Sequence, residues 1–226
     1  MRGILMQAFR ALIKRDLLIA LRSGGTWLYG LVFFCLFLTL CAIGLGGDPN
    51  VLRPLAPALV WLSLILSLLL SFERLFQADA EDGNLMHLKL SGMSFKTYIL
   101  AKCCVHWLLS VLPLLLSLPI AALFFDLSQG ISLGLFFSIL IASPALICYG
   151  AFSSACLVGY KGGGVLLVLL SVPILFPILI FGISGSIHYV DAGLGALEFQ
   201  ALAGISLIAL AVGIPASAAA LNVTME

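Results

Sequence analysis

Residues 55–72 read LAPALVWLSLILSLLLSF, and residues 73–90, which follow without a break, read ERLFQADAEDGNLMHLKL. The first string carries no charge, and its only hydroxyls are Ser63, Ser67 and Ser71. A segment this apolar is at home in hydrocarbon, where the backbone must satisfy its own N–H and C=O groups, and a helix does so. In the second string polarity returns abruptly: Glu73, Asp79, Glu81 and Asp82 fall within ten residues. The boundary at Phe72–Glu73 therefore reads as a helix leaving a membrane and entering a charged loop.

The same reading extends outward. Apolar stretches at 26–46, 98–125, 131–158, 165–187 and 199–221 bring the expected spans to six, each near the roughly 20 residues that cross a bilayer core. The span at 55–72 is short and those at 98–125 and 131–158 are long, which predicts unequal tilts. Of 226 residues, 62% are hydrophobic and 9% charged, with a mean hydropathy of +1.22. Soluble domains run at about 45–50% apolar and about 25% charged, so soluble enzymes and nucleic-acid binders are excluded. No ten-residue alternation suggests a β-barrel. The expected fold class is an all-α integral membrane protein.

A net charge of +1 identifies no partner, but the placement of charge is informative. Ten of the eleven Lys and Arg residues fall before span one, between spans two and three (with Lys102 just inside span three), or between spans four and five; only Arg53 falls on the other side. By the positive-inside rule the basic side is cytoplasmic. Both termini are then cytoplasmic, and the outer loops are 47–54, 126–130 and 188–198. A cleaved signal peptide is not expected, because the basic start is too long and no small-residue cleavage site follows the first apolar run.

Residues 3–22 form an amphipathic pattern. Leu5, Phe9, Leu12, Ile13 and Ala20 share one helical face, Arg10, Lys14, Arg15 and Arg22 lie on the other, and Asp16 interrupts the apolar side. Such a helix suits the headgroup layer. Ser23-Gly24-Gly25 lets the chain turn into span one. Pro113, Pro119, Pro144, Pro173, Pro177 and Pro215 lie within the later spans, where each removes a helix hydrogen bond and can kink the helix. Gly130 and Gly134 make a G-x-x-x-G pair suited to close helix packing. Cys35, Cys41, Cys103, Cys104, Cys148 and Cys156 all lie in apolar runs without a C-x-x-C, and read as small buried hydrophobes.

Four kinds of chemistry are excluded. Only Lys102 and His106 are ionisable deep within a span, so the intramembrane carboxylates of ion-driven carriers are absent. Gly130-Ile131-Ser132-Leu133-Gly134 matches G-x-S-x-G in letters but opens an apolar helix, not a strand-to-helix turn. No G-x-x-x-x-G-K-[ST] occurs, so ATP hydrolysis by a phosphate loop is not a property of this chain. Asp79-Ala80-Glu81-Asp82-Gly83 is acidic enough for calcium, but Leu90 stands where an EF-hand needs Glu. The loop 73–97 instead reads as a short helix stopping at Gly83, with Phe76, Leu85, Leu88 and Leu90 as apolar anchors. Mixed acidic and apolar contacts of this kind suit docking of a soluble protein.

Phe72-Glu73-Arg74-Leu75-Phe76 followed by Asp79, Asp82-Gly83 and Leu85, then Lys102 with His106-Trp107 and Leu112-Pro113-Leu114, then Lys161-Gly162-Gly163-Gly164-Val165-Leu166-Leu167 leading to Pro173 and Pro177, together resemble the CcmB family. Members are membrane subunits of an ABC-type complex in cytochrome c maturation. The resemblance spans essentially the whole chain and implies an ABC-2-like permease fold in the bacterial inner membrane. It implies a separate ATPase subunit, CcmA, that uses ATP; membrane partners CcmC and CcmD; the haem chaperone CcmE; and two copies of the chain in the complex. It also implies haem as a transported or transient ligand, with no stably bound cofactor. On that footing Glu73, Arg74, Phe76, Asp79, Glu81, Asp82 and Gly83 are the candidate ATPase-docking residues. His106 and Lys102 are candidates for a transient haem contact or a polar hinge, against a neutral histidine hydrogen-bonded to a neighbouring helix. A permease for another amphiphile and a non-transporting scaffold are the alternatives.

Overall fold

The computed structural model describes residues 2–22, 28–91, 93–160 and 163–224, with side chains from Gln7 and from Phe9 onward. The described residues are mostly helical, with no strand among them. Helix α1 spans Arg2–Arg22, α2 Leu28–Gly44, α3 Pro49–Phe72, α4 Gln77–Glu81, α5 Asn84–Leu90, α6 Phe95–His106, α7 Leu112–Phe124, α8 Gln129–Cys156, α9 Gly164–Ala192, α10 Leu197–Ile208 and α11 Ile214–Thr224. Five helical stretches, beginning at Pro49, Phe95, Gln129, Gly164 and Leu197, are long and apolar enough to cross a membrane. The stretch at Leu28–Gly44 is apolar but shorter. The expected turn at Ser23-Gly24-Gly25 lies outside the described residues, as do Lys161 and Gly162.

Two boundaries differ from the sequence reading. Helix α3 begins at Pro49, not near residue 55, and is 24 residues long. Asp48 caps it by accepting from the Asn50 N–H at 2.9 Å. Pro49 fits the first helical position because its missing N–H needs no partner there. The expected short span is thus a full-length helix, and most of the expected loop 47–54 is its first turn. Helix α9 likewise continues through His188 and Asp191 to Ala192. The expected loop 188–198 shrinks to a tight hairpin at Gly193–Gly195, with Gly193 at φ +57.

Helix α8 lies at the centre, packing against α3, α7, α9, α10 and α11. Its close approach to α9 depends on Gly134. A Cβ there would collide with the Ser186 carbonyl oxygen, and one at Gly130 would lie 3.1 Å from Val190 Cγ2. Gly182 similarly admits the Trp61 ring, and Gly150 the Phe72 ring. Trp61 Nε1 donates to Ser186 Oγ at 3.2 Å, and Ser186 meets Ser138 at 2.8 Å. These contacts join α3, α8 and α9 by polar groups that are satisfied inside the bundle, as apolar surroundings require.

The prolines do not all act alike. Pro54, Pro57, Pro119, Pro144, Pro173 and Pro177 lie inside regular helices. Pro113 and Pro215 each follow a one-turn π segment, at Trp107–Val111 and Ala209–Gly213. A proline ring crowds the carbonyl four residues earlier, and widening that turn to π geometry relieves the crowding. Both π turns pack on α8. Beside the first, Trp107 Nε1 donates to Ser143 Oγ at 2.8 Å; beside the second, Ser206 Oγ donates to the Ile141 carbonyl at 2.6 Å.

Candidate functional site

The α3 helix ends at Phe72, and the chain turns through Glu73–Phe76 into α4 and α5. Leu75, Phe76, Leu85 and Leu88 are buried and anchor the two short helices to the bundle. Gly83 joins them at φ +73, a left-handed conformation that costs a glycine little. The expected stop at Gly83 is where α4 ends and α5 begins. Leu90, expected as an anchor, instead faces outward, as does Met86.

Asp79 faces the interior. It is 6% exposed and collects contacts from three other elements. Tyr98 Oη donates to its Oδ2 at 2.6 Å, and Lys102 Nζ lies 2.6 Å from the same oxygen. Arg15 Nη2 reaches Oδ1 at 3.2 Å, and Asn84 Nδ2 donates to Oδ1 at 3.2 Å. Arg15 also pairs with Asp16 at 2.8 Å, while Lys102 Nζ stands 3.3 Å from Asp16 Oδ2. Two carboxylates and two cations therefore close a neutral, largely buried cluster that ties α1 and α4 to α6. Burial pushes the Asp79 carboxyl up, but Lys102, the Tyr98 hydroxyl and Arg15 outweigh it and hold the group below the usual carboxylate range.

Asp16 thereby gains a physical reason. On the sequence it interrupts the apolar face of α1. In the fold that face packs on α6, with Leu12 buried and Phe9 and Ile13 against the core, and Asp16 supplies the second carboxylate to Lys102. A lone acid on an apolar helical face calls for a cationic partner, and that signal points to the cluster without identifying Lys102. Tyr98 and Asn84 carry no comparable signal, because either side chain is unremarkable in its local string.

Glu73, Arg74, Glu81 and Asp82 are exposed. Glu73, Arg74, Gln77 and Glu81 line one wall of a cleft of about 520 Å3, whose other wall is Leu157, Tyr160, Gly163 and Leu167 from the α8–α9 junction. The Glu73 carboxylate lies against the first turn of α9, where a Cβ on Gly164 would come within 2.9 Å of Oε1. A negative group there complements the helix dipole. The candidate docking residues thus divide. Phe76 and Asp79 face inward and hold the loop, Gly83 shapes it, and Glu73, Arg74, Glu81 and Asp82 face outward.

His106 stands apart from Lys102, although one helical turn separates them. Its Nε2 is 3.1 Å from Ser71 Oγ, and its ring packs 5.1 Å from that of Phe72. Lys102 points into the ion cluster instead. His106 is the last residue before the π turn at Trp107–Val111, so it borders the irregular part of the α6–α7 stretch. Among the described residues no group of three or more His, Cys, Asp or Glu could hold a metal ion.

The family description "CcmB protein" matches residues 7–224. The chain belongs to the CcmB family. Among its relatives, a protein of Haemophilus influenzae named heme exporter protein B is 46% identical over 78% of this chain and 80% of its own length. The heme exporter protein B of Rhodobacter capsulatus is 38% identical over 96% of this chain and all of its own length. That of Escherichia coli is 32% identical over 96% of this chain and 99% of its own. The family match therefore covers α1 from residue 7, the α4–α5 loop and every apolar helix together.

Proposed function

We propose that this chain is the membrane subunit of an ABC-type complex serving haem export and c-type cytochrome assembly. One observation carries the reading: the family match runs from residue 7 to residue 224, and relatives named heme exporter protein B align over nearly their whole length. In this proposal the apolar helices make six spans in the inner membrane, with α2 as the first and α1 lying in the headgroup layer. Both termini and the α4–α5 loop are cytoplasmic, in keeping with the basic side of the sequence.

The chain contains no phosphate-loop motif, so energy comes from a separate ATPase, CcmA, docked on the loop. Glu81, Asp82, Met86 and Leu90 offer it an outward face of mixed charge and apolar surface, and the cleft beside Glu73 and Arg74 offers it a recess. The Asp79 cluster would carry movement of the docked ATPase to α1 and α6, and the π turn at Trp107–Val111 gives α6 a place to bend. CcmC, CcmD and the haem chaperone CcmE complete the proposed assembly, with two copies of this chain. Co-purification of the ATPase tests the docking role. Asp82→Lys should weaken association while the protein still inserts in the membrane; an unchanged yield of ATPase with this variant would remove Asp82 from the interface.

A further inference from the structure

Two helical stretches of the bundle are interrupted in the same way. The stretch Phe95–Phe124 carries its π turn at Trp107–Val111, then Leu112, then Pro113. The stretch Leu197–Thr224 carries its π turn at Ala209–Gly213, then Ile214, then Pro215. Each break falls near the middle of its stretch. Helix α8, on which both π turns pack, has Pro144 near the middle of its own length. Pro144 has no N–H to donate to the Leu140 carbonyl. The Ser143 hydroxyl donates to that carbonyl instead, at 2.8 Å, and accepts from Trp107 Nε1 at 2.8 Å. The next carbonyl, that of Ile141, accepts from Ser206 Oγ at 2.6 Å. The three irregularities therefore share one level and are joined by side-chain hydrogen bonds, which is how an apolar bundle tolerates a broken helix.

We infer that this level is a shared hinge, about which α6 and α11, with α1, swing as one unit against α3, α8 and α9 while α7 and α10 stay in place. The packing on the two sides of the level differs as a hinge requires. On the side of the α4–α5 loop, α6 packs on α11 and carries α1. On the far side the continuations part: α7 packs on α2 and α8, and α10 on α8 and α9. Helix α11 turns small side chains inward, Ser217 and Ala218. It meets α8 closely at Gly213, where an added Cβ would lie 3.1 Å from Cys148 Cβ. A face of small residues can slide on its neighbour without unlocking interdigitated side chains, which is the shear part of such motions. Single π turns within α-helices are frequent at functional sites, and here two of them bound one unit. The Asp79 cluster ties α4 to α6, so a load on the loop reaches this unit. That the load comes from a docked ATPase rests on the reading above; the hinge is a property of the chain.

The test is double electron–electron resonance on the purified full-length chain in lipid nanodiscs. A ketone-bearing residue placed at each labelled position and coupled to a nitroxide leaves the native cysteines untouched. Lys96 on α6, Ala219 on α11 and Val165 on α9 are exposed, as are Leu116 on α7 and Leu207 on α10. Lys96–Val165 and Ala219–Val165 should each show two distances, whereas Lys96–Ala219 and Leu116–Leu207 should each show one. Pro113→Ala/Pro215→Ala restores both N–H groups and should leave one distance for every pair. Trp107→Phe removes the bond to Ser143 and should change the ratio of the two populations about fivefold, the worth of one hydrogen bond. A single Lys96–Val165 distance in wild type, or a Lys96–Ala219 distance that varies as much, would overturn the hinge. So would wild-type distributions in the two variants. Should the proline variant fail to insert, Trp107→Phe decides alone, and unchanged populations count against the hinge. Failure of the docking reading has a different signature, namely an ATPase that does not co-purify with a chain whose distances are as expected.

Discussion

Replacing Asp79 by Ala should release the α4–α5 loop from the bundle. The carboxylate receives the Tyr98 hydroxyl and Lys102 at 2.6 Å, and Arg15 and Asn84 at 3.2 Å. Its loss leaves Lys102, whose side chain is 15% exposed, with only Asp16 at 3.3 Å. Removing one partner of a buried ion pair costs about 3–5 kcal/mol. The remaining Asp16 keeps the expected cost near the lower end, about 3 kcal/mol, which is roughly a hundredfold in the equilibrium between anchored and released loop. Hydrogen exchange of the purified protein reads this as faster exchange in peptides covering 77–90, by roughly that factor. The double variant Asp79→Ala/Lys102→Met removes both charges of the closest pair. It should be less destabilised than the sum of the two single variants by about 1–3 kcal/mol, the coupling expected for contacting groups. Wild-type protection in Asp79→Ala would refute the reasoning: Phe76, Leu85 and Leu88 would then hold the loop unaided.

The Asp79 contribution also has a defined pH dependence. Its folded-state pKa is depressed, so the stability difference between wild type and Asp79→Asn should be constant above the ordinary value of 3.8. It should vanish as pH falls further, through the folded value; thermal melts of both proteins across an acid series measure it. Gly134→Ala and Gly182→Ala place a methyl group against the Ser186 carbonyl and the Trp61 ring. Each should cost about 1–3 kcal/mol by overpacking, visible as a lower melting temperature and lower membrane abundance. His106→Ala removes the contacts to Ser71 and Phe72 and should cause a packing defect while c-type cytochromes persist wherever the complex assembles. Their loss in a fully assembled complex would make His106 a haem contact. Reporter fusions within 126–130 should read periplasmic, and fusions after Lys89 or at the C-terminus cytoplasmic. A periplasmic C-terminus would overturn the six-span proposal.

Much of this architecture is legible in the residues because hydrocarbon and water impose opposite demands. Uninterrupted apolar runs announce helices, and Gly130 and Gly134 announce a close helix contact, whose partner, α9, only the structure identifies. The left-handed joint at Gly83 follows from glycine's freedom at φ +73. The helix ends are less legible. Pro49 and Pro54 resemble loop residues although both sit in the opening turns of α3. His188 and Asp191 are polar enough to suggest a loop, yet a helix end reaching water tolerates them. The inward turn of Asp79 is the hardest to read. It lies among Glu73, Glu81 and Asp82, which are exposed, and a five-residue helix is too short for periodicity to set one acid apart. The partners that bury it, Arg15 and Lys102, are brought to it only by tertiary packing of α1 and α6.

The central claim is that this chain serves c-type cytochrome assembly as a membrane subunit. The most direct test is haem staining of membrane and periplasmic proteins from a strain lacking the gene, and from the same strain carrying the wild-type copy. The account predicts loss of covalently haem-bearing cytochromes on deletion and their full return on complementation, with total cellular haem unchanged. Undiminished c-type cytochromes in the deletion strain would contradict it.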